Sequence, residues 1–462
     1  MKQLTILYLE YLQDSSLYFE RFRSLPYACF LDSCGDSYQG DHGRYDIITA
    51  NPAILVTIDH NDQLIIHYES GTVPPDLSKH NAFNLLSSLI NSMSPVHSEG
   101  LPFTGGALGF WSYELCEQLE PEKIVPRTTD TPKMSVGLYH WALITDHQKK
   151  TCQLVFHPDI APQLQEDILR SLDQPTSTAA SYQLRSAFQP TQSREEYTHA
   201  FNRIQDYIRA GDCYEVNLTQ EFTAAYTGCS WAAYKKLRQI SPAPYSAYLS
   251  YPDMAILSHS PERFVKVTDR KVETHPIKGT RPRGRTPEED QRQANELINS
   301  PKDRAENLMI VDLLRNDLGK VCETGSIKVP KIFALESYAN VHHLVSSVTG
   351  VLPEKTDACT LLANTFPGGS ITGAPKIRSM EIIRELEPSA RSVYCGAIGY
   401  ISCHGDMDTS ISIRTILAHN QTMHCWGGGA IVADSDCDEE YQESITKVKN
   451  LMEALENHQT FN

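Results

Sequence analysis

The 462-residue sequence predicts an α+β protein built mainly of antiparallel sheet. Three observations carry that expectation. Short β-branched and aromatic runs crowd the first third of the chain, punctuated by Gly, Pro, Asn and Asp. Helical periodicities then appear between further strand-like runs, without regular strand–helix–strand alternation. With 40% hydrophobic and 21% charged residues, the composition is that of a globular chain able to bury a large core.

In chain order, residues 1–157 form an N-terminal region. Its strand-like runs are ILVTI (54–58), LIIHY (64–68), ALITD (142–146) and QLVFH (153–157). Residues 158–192 shift composition, through PDIAPQLQED, QPTSTAASYQ and FQPTQ, and read as a linker with one short helix. Residues 193–456 form the second region. It opens on a capping box, Ser193 with Glu196, followed by Tyr197, Phe201, Ile204 and Ile208 at helical spacing and Gly211 as the stop. The strand-like runs YEVNLTQEF, YSAYLSY, AILSHS and RFVKV come next. Helices are then expected over about 302–317, after Pro375, and over about 437–456. No internal repeat is visible.

Charge and cysteine usage narrow the classes of function. Lys and Arg number 41 against 57 Asp and Glu, a formal net charge of −16. Such a surface disfavours nucleic acid and anionic membranes, and an anionic small substrate needs a local positive site. The 12 cysteines include no C-x-x-C pair and read as reduced thiols of a cytoplasmic protein. The N-terminus lacks signal-peptide features, and no run reaches the ~20 apolar residues of a membrane span.

Five segments carry chemistry. In HPIKGTRPRGR (275–285), Lys278 precedes Arg281, Arg283 and Arg285; a lysine desolvated beside cations has a lowered pKa and serves as a nucleophile. The bland alternative is a solvated basic loop. Gly279 and Thr280 offer backbone N–H groups to an anion. Glu262 in SHSPERF (258–264) is either a structural ion pair or a partner of Lys278 across a hairpin. In DRAENLMIVDLLRNDLG (303–319), Glu306 shares a helix face with Met309, Ile310 and Leu313, a costly position unless a cation or metal pairs with it; a dipole-favoured first-turn glutamate is the alternative. FPGGSITGAPKIRSMEII (366–383) is a glycine loop running into a helix, suited to a carboxylate or phosphate but not a nucleotide P-loop. In WGGGAIVADSDCDEEYQESITKV (426–448) the glycines imply close backbone approach, the run 434–440 reads as a solvated helix start, and periodicity places Glu443 on the solvated face.

Together these segments resemble the chorismate-utilising enzymes. The carriers are SPERF, PIKGT (276–280), DRAENLMIVDLLRND, VHHLVS (341–346), FPGGSITGAPK, CGAIGY (395–400), MDTSISIRT (407–415) and IVADS (431–435), dense over about 190–455. LPFTGGALGFWSYE (101–114) extends the likeness more loosely into the N-terminal half. PIKGT points to the branch that aminates chorismate at C4 on the way to 4-aminobenzoate and folate; the anthranilate-forming branch has PIAGT there. The resemblance implies a large antiparallel β-sandwich, two sheets packed near-orthogonally and flanked by helices. It implies Lys278 as the nucleophile at C2 and Glu262 as general acid/base. It implies Mg²⁺ held by Glu306 and Glu443, which overrides the periodicity reading of Glu443. Substrate contacts are expected from Gly279, Thr280, His343, Ser370, Tyr394, Arg414, Gly428, Gly429 and Ala430. Ala430 departs from the usual glycine and puts its own contact in doubt.

The resemblance also implies a tryptophan pocket walled by Ser33, Arg44, Tyr45, Pro244, Tyr245 and Ser246, either a vestigial core pocket or a regulatory or structural site. Ammonia is expected from a separate glutamine amidotransferase subunit, since this chain shows no recognisable triad of its own. The rival readings are anthranilate formation, which Lys278 opposes, and a non-catalytic tryptophan-binding paralogue, which Glu262, Lys278, Glu306 and Glu443 oppose. Water-using relatives carry an activating lysine near Glu215, where none stands here.

Overall fold

The computed structural model describes residues 2–35, 42–68, 81–174, 181–337 and 341–457; residues 175–180 of the expected linker lie outside them. The α+β expectation holds. The strands form two sheets, one of 13 strands and one of 11, and every pairing among the described residues is antiparallel.

Both sheets draw on both halves of the sequence. The larger runs from Thr5–Leu9 through Thr151–Phe156, Trp141–Asp146, Tyr45–Thr49 and Cys29–Asp32, then crosses to Tyr245–Ser250, Met254–Ser260, Thr415–His419, Thr422–Ile431 and Glu215–Gly228. The crossing is the pairing of Leu31 with Ala247. The smaller sheet runs from Ile277–Pro282 through Val341–Val351, Lys271–Thr274, Arg263–Thr268, Met407–Ile411 and Ala397–Ser402, and crosses to Gly106–Trp111, Met134–Tyr139, Ile54–Ile58 and Leu64–Tyr68. Here Gly109 pairs with Gly399.

Alternation along the strands builds two cores. Ile47, Ala247 and Ile256 of the larger sheet face Phe110, Val265 and Ile398 of the smaller across the sandwich. Their neighbours Ile48, Tyr248 and Leu257 turn the other way, under helices that contribute Phe19, Trp231 and Leu451. With both faces covered, Trp141–Asp146 is buried at every residue, so its sequence reads as a continuous apolar run rather than an alternating one.

The helices follow their sequence signals. Arg194–Ala210 has both bonds of the capping box, and Gly211 closes it at φ 82°. The expected 302–317 helix spans Pro301–Gly319, and Cys437–Glu456 matches its expected bounds. Lys376–Leu386 follows Pro375, and Pro162–Asp173 is the helix of the linker stretch. The end of that stretch is sheet edge: Tyr182–Leu184 and Gln189–Pro190 pair with Glu215–Gly228. All 12 cysteines are free thiols. Among the described residues, no helix is long and apolar enough to cross a membrane.

Candidate active site

The site begins at an edge strand. Ile277–Pro282 pairs with Val341–Val351, but its register slips between Ile277 and Thr280. Gly279 sits at the slip with φ 86°, where a Cβ would lie 2.8 Å from Asp303 Oδ1 and Leu297 Cδ1. Such a bulge re-aims a neighbouring side chain. Lys278 is turned inward: its side chain is only 11% exposed, and its Nζ donates to Glu215 Oε1 at 3.0 Å. Burial pulls the lysine's pKa down, but the carboxylates of Glu215, Glu306 and Glu262 outweigh it and hold the pKa above the ordinary value. This corrects the expected depression by neighbouring arginines. Arg281 and Arg283 face elsewhere, bonded to Asp303 at 2.9 Å and Asp290 at 2.7 Å. The solvated-loop alternative fails for Lys278 because that side chain is buried, while Arg283 and Arg285 are exposed as it expects.

The hairpin of Arg263–Thr268 and Lys271–Thr274 folds the chain back and brings Glu262 to the lysine. Glu262 is buried, and burial pushes its carboxyl up to about 7 against the pull of Ser370 and Lys278. Ser370 Oγ donates to Glu262 Oε1 at 2.8 Å. The glycine loop carrying Ser370 is pinned from below by Lys376. That buried ammonium pairs with Asp317 and donates to the carbonyls of Thr365 and Pro367, both at 2.9 Å.

Around this pair stand groups for an anion. Thr280 Oγ1 and His343 Nδ1 are 2.9 Å apart, and burial with Arg414 nearby lowers the His343 pKa to about 4, so the ring is neutral. Arg414 has no ion-pair partner among the described residues, and burial lowers its pKa. An unmatched, half-buried guanidinium suits bidentate capture of a carboxylate. Tyr394 is buried and stacked on Trp426, with ring centroids 6.1 Å apart.

The glycine-rich strand Thr422–Ile431 lies against Glu215–Gly228, with Thr219 opposite Gly428, Leu218 opposite Gly429 and Asn217 opposite Ala430. Directly opposed residues share a face, so the methyl of Ala430 is on the side of Asn217 and Glu215. Gly429 points to the other side. A Cβ there would stand 3.0 Å from Glu440 Oε2 and 3.4 Å from Glu443 Oε1, both from the terminal helix. Glu440 is buried and accepts from Ser435 Oγ at 2.7 Å, which corrects the reading of 434–440 as uniformly solvated. Glu443 is half-exposed, as periodicity predicts, and pairs with Lys447 at 2.7 Å.

Glu306 lies at the flank of its helix's buried face. The centre is held by Asn307, Ile310, Val311 and Leu314, so the expected apolar arc is displaced by one residue. Burial raises the Glu306 pKa while Lys278 pulls it down. Glu443 also feels Lys278. Glu306, Glu440 and Glu443 offer only carboxylate oxygens, a donor set suited to a hard dication. No three His, Cys, Asp or Glu side chains among the described residues already converge as a metal site.

Glu215, Asn217 and Glu440 are the residues sequence reasoning missed. For the first two a signal existed: in YEVNLTQEF, Glu215, Asn217 and Thr219 alternate as polar residues on one face of an otherwise buried strand.

A second cavity opens between the sheets. Arg44, Tyr45, Pro244, Tyr245 and Ser246 line it, facing Tyr400 and Asp408. Arg44 is tied to Asp146 at 2.8 Å and lies over the Tyr45 ring. Ser33 is not in the lining; its N–H and hydroxyl both donate to Asp46, at 2.7 and 2.6 Å.

Known proteins resemble this chain in sequence and fold. The chain is 46% identical to aminodeoxychorismate synthase component 1 of Escherichia coli over 96% of its own length and 97% of that protein's. It is 36% identical to the Bacillus subtilis protein of the same name, over 90% of each chain. It is 35% identical to anthranilate synthase component 1 of Aquifex aeolicus, over 90% of this chain and 86% of that one. The solved structure of anthranilate synthase component I from Streptococcus pneumoniae superposes with a TM-score of 0.77 at 32% identity, covering 90% of this chain and 93% of that one. Residues 30–453 match the family described as chorismate binding enzyme, a span that takes in Glu262, Lys278, Glu306, Arg414 and Glu443. On that match and those identities, the chain belongs to the chorismate binding enzymes.

Proposed function

We propose that this chain aminates chorismate at C4, yielding 4-amino-4-deoxychorismate, with Lys278 as the attacking group. The observation that carries this is a buried lysine beside a buried carboxyl that is half protonated near neutrality. Direct attack of ammonia at C2, the anthranilate route, needs no such lysine.

Chorismate brings two carboxylates into an otherwise acidic molecule. Arg414 takes one, and the backbone N–H groups of Gly279, Thr280 and the Gly428–Ala430 strand complete the cradle, with His343, Ser370 and Tyr394 as neutral polar contacts. Lys278 passes a proton to the surrounding carboxylates and attacks C2 as the free amine. The C2–N bond forms and its extra proton passes to a site carboxylate, both ring double bonds shift, and the C4–O bond breaks. Glu262 gives its proton to the departing hydroxyl, which leaves as water. Ammonia then bonds to C4, both double bonds shift back, the C2–N bond to Lys278 breaks, and the proton shed by the new ammonium reaches the departing lysine amine through the site carboxylates. Two displacements leave the amino group para to the ring carboxylate. Mg²⁺ fits the oxygen donors of Glu306 and Glu443, with Glu440 alongside, and when bound there would neutralise a substrate carboxylate.

Incubation with chorismate, Mg²⁺ and ammonium salt tests the reading, with the product identified by chromatography. The 4-amino isomer is expected, and anthranilate as main product sinks the proposal. Lys278→Ala should form no adduct at that position; 4-amino-4-deoxychorismate made at the wild-type rate would remove the nucleophile role.

Two partners complete the proposal. A glutamine amidotransferase subunit supplies the ammonia, so glutamine alone should support no turnover until such a subunit is added. Tryptophan fills the inter-sheet cavity, its ring between Tyr45 and Tyr245. Calorimetric titration should show saturable binding that Tyr245→Ala weakens; no heat at millimolar tryptophan counts against it.

A further inference from the structure

Lys278 and Glu215 meet across the sandwich. The lysine belongs to the edge strand of the smaller sheet, the glutamate to the first residue of Glu215–Gly228 in the larger. Glu215 is fully buried; its Oε1 accepts from Lys278 Nζ at 3.0 Å, and its Oε2 has no hydrogen-bond partner. A buried carboxylate with one oxygen unsatisfied is costly to keep, so a purely structural ion pair explains it poorly. Oε1 also accepts from Asn217 Nδ2 at 3.3 Å, and the same amide nitrogen lies 3.5 Å from the carbonyl of Ser370. Ser370 in turn donates to Glu262 at 2.8 Å. One chain of contacts, Lys278–Glu215–Asn217–Ser370–Glu262, therefore fixes the amine relative to the acid.

We infer that Glu215 is a positioning residue that aims the Lys278 amine at the ring carbon it attacks, and thereby decides which ring position ammonia aminates. The inference rests on the reading of Lys278 as nucleophile. A lysine stem has four rotatable bonds, and Glu262 and Glu306 act on this ammonium only through space. Glu215 alone among the described residues holds it by a hydrogen bond. If the amine swings off line, C2 is left open. Ammonia can then form the C2–N bond in the lysine's place while the C4 hydroxyl leaves as water with the Glu262 proton. The extra proton on the new ammonium returns to Glu262, and the product is the ortho-amino isomer.

The test uses the full chain with chorismate, Mg²⁺ and ammonium salt. Three quantities are read: the rate of mass gain on the Lys278 peptide, the ratio of para- to ortho-amino product, and KM for chorismate. Glu215→Ala should slow adduct formation by about tenfold or more and raise the ortho share, with KM within about threefold of wild type. Glu215→Asp keeps the charge but draws the acceptor back by one methylene, and should behave like Ala. Glu215→Gln restores an acceptor oxygen at the original reach and should recover most of the rate that Ala loses. The inference is overturned if Ala and Asp keep the wild-type adduct rate and product ratio. It is also overturned if KM rises in step with the loss, or if Gln does no better than Ala. A wild-type chain that never gains mass at Lys278 overturns the nucleophile reading itself, a result visible before any variant is made.

Discussion

Glu262 is the residue whose chemistry is most open to measurement. Burial raises its carboxyl to about 7, and in the proposed reaction it must be protonated to release the C4 hydroxyl as water. The acid form is present below that value and lost above it, so the Glu262 limb of adduct formation should fall as pH rises through about 7. Glu262→Gln should lower the rate by about 10²- to 10⁴-fold and abolish that falling limb. A limb that persists in the variant assigns the titration to another group. The position of Glu262 was legible in SPERF, but its pKa was not, because it comes from burial, opposed by Ser370, 108 residues away. Lys278 shows the same divide more sharply. Its motif was readable, yet the direction of its shift was not. The arginines near it in sequence turn toward Asp303 and Asp290, while the carboxylate that touches it is 63 residues earlier. Charge proximity along a chain is a poor guide where a bulge reverses the direction of a side chain.

At the scale of elements, the site depends on how two helices meet the sheets. The terminal helix lies against Thr422–Ile431 because Gly427 has no side chain: a Cβ there would fall 2.0 Å from the carbonyl oxygen of Ser444. Gly427→Ala should force the helix outward and carry Glu440 and Glu443 with it. The expected cost is about 1–3 kcal/mol in denaturant unfolding, with a higher Mg²⁺ requirement. A variant as stable as wild type means the strand, not the helix, yields. The loop of Ser370 depends on Lys376 in the same way. Lys376→Met strands the buried Asp317, which keeps only the half-exposed Lys320 at 3.3 Å, and should cost about 3–5 kcal/mol. Caps and periodicities made these helices legible to within a residue or two. The faces they bury were less so. On Pro301–Gly319 the buried centre is Asn307, whose amide is bonded to the Leu344 carbonyl and to Ser346 Oγ. A polar residue satisfied by a strand distant in sequence looks solvated on a helical wheel, so the arc was centred one position early.

Across the whole molecule, the sequence regions 1–157 and 193–456 differ in composition, yet neither owns a sheet. Leu31 pairs with Ala247 in one and Gly109 with Gly399 in the other. The first region also supports the site directly. Glu114 accepts from the Arg391 backbone at 2.8 Å, and the Arg391 guanidinium then holds the Asn217 carbonyl at 2.9 Å and Glu387 at 2.7 Å. Asn217 is the residue that touches Glu215. Cutting the chain between the regions would expose the edges of Tyr245–Ser250 and Ala397–Ser402 and uncover apolar residues such as Ile256 and Ile398. The expected behaviour is one cooperative body. Scanning calorimetry of the full chain should show a single transition. Fragments 1–174 and 181–462, expressed apart, should show no cooperative melting, and 181–462 should make no 4-amino-4-deoxychorismate although it contains Lys278, Glu262, Glu306 and Glu443. Two resolved transitions, or a 181–462 fragment that melts near the full chain's temperature, would mean that the shared sheets are a contact between independent domains. In that case the Glu114–Arg391 link could not matter to the site, and Glu114→Ala should leave amination untouched; if the sheets are one body, the same substitution should slow it.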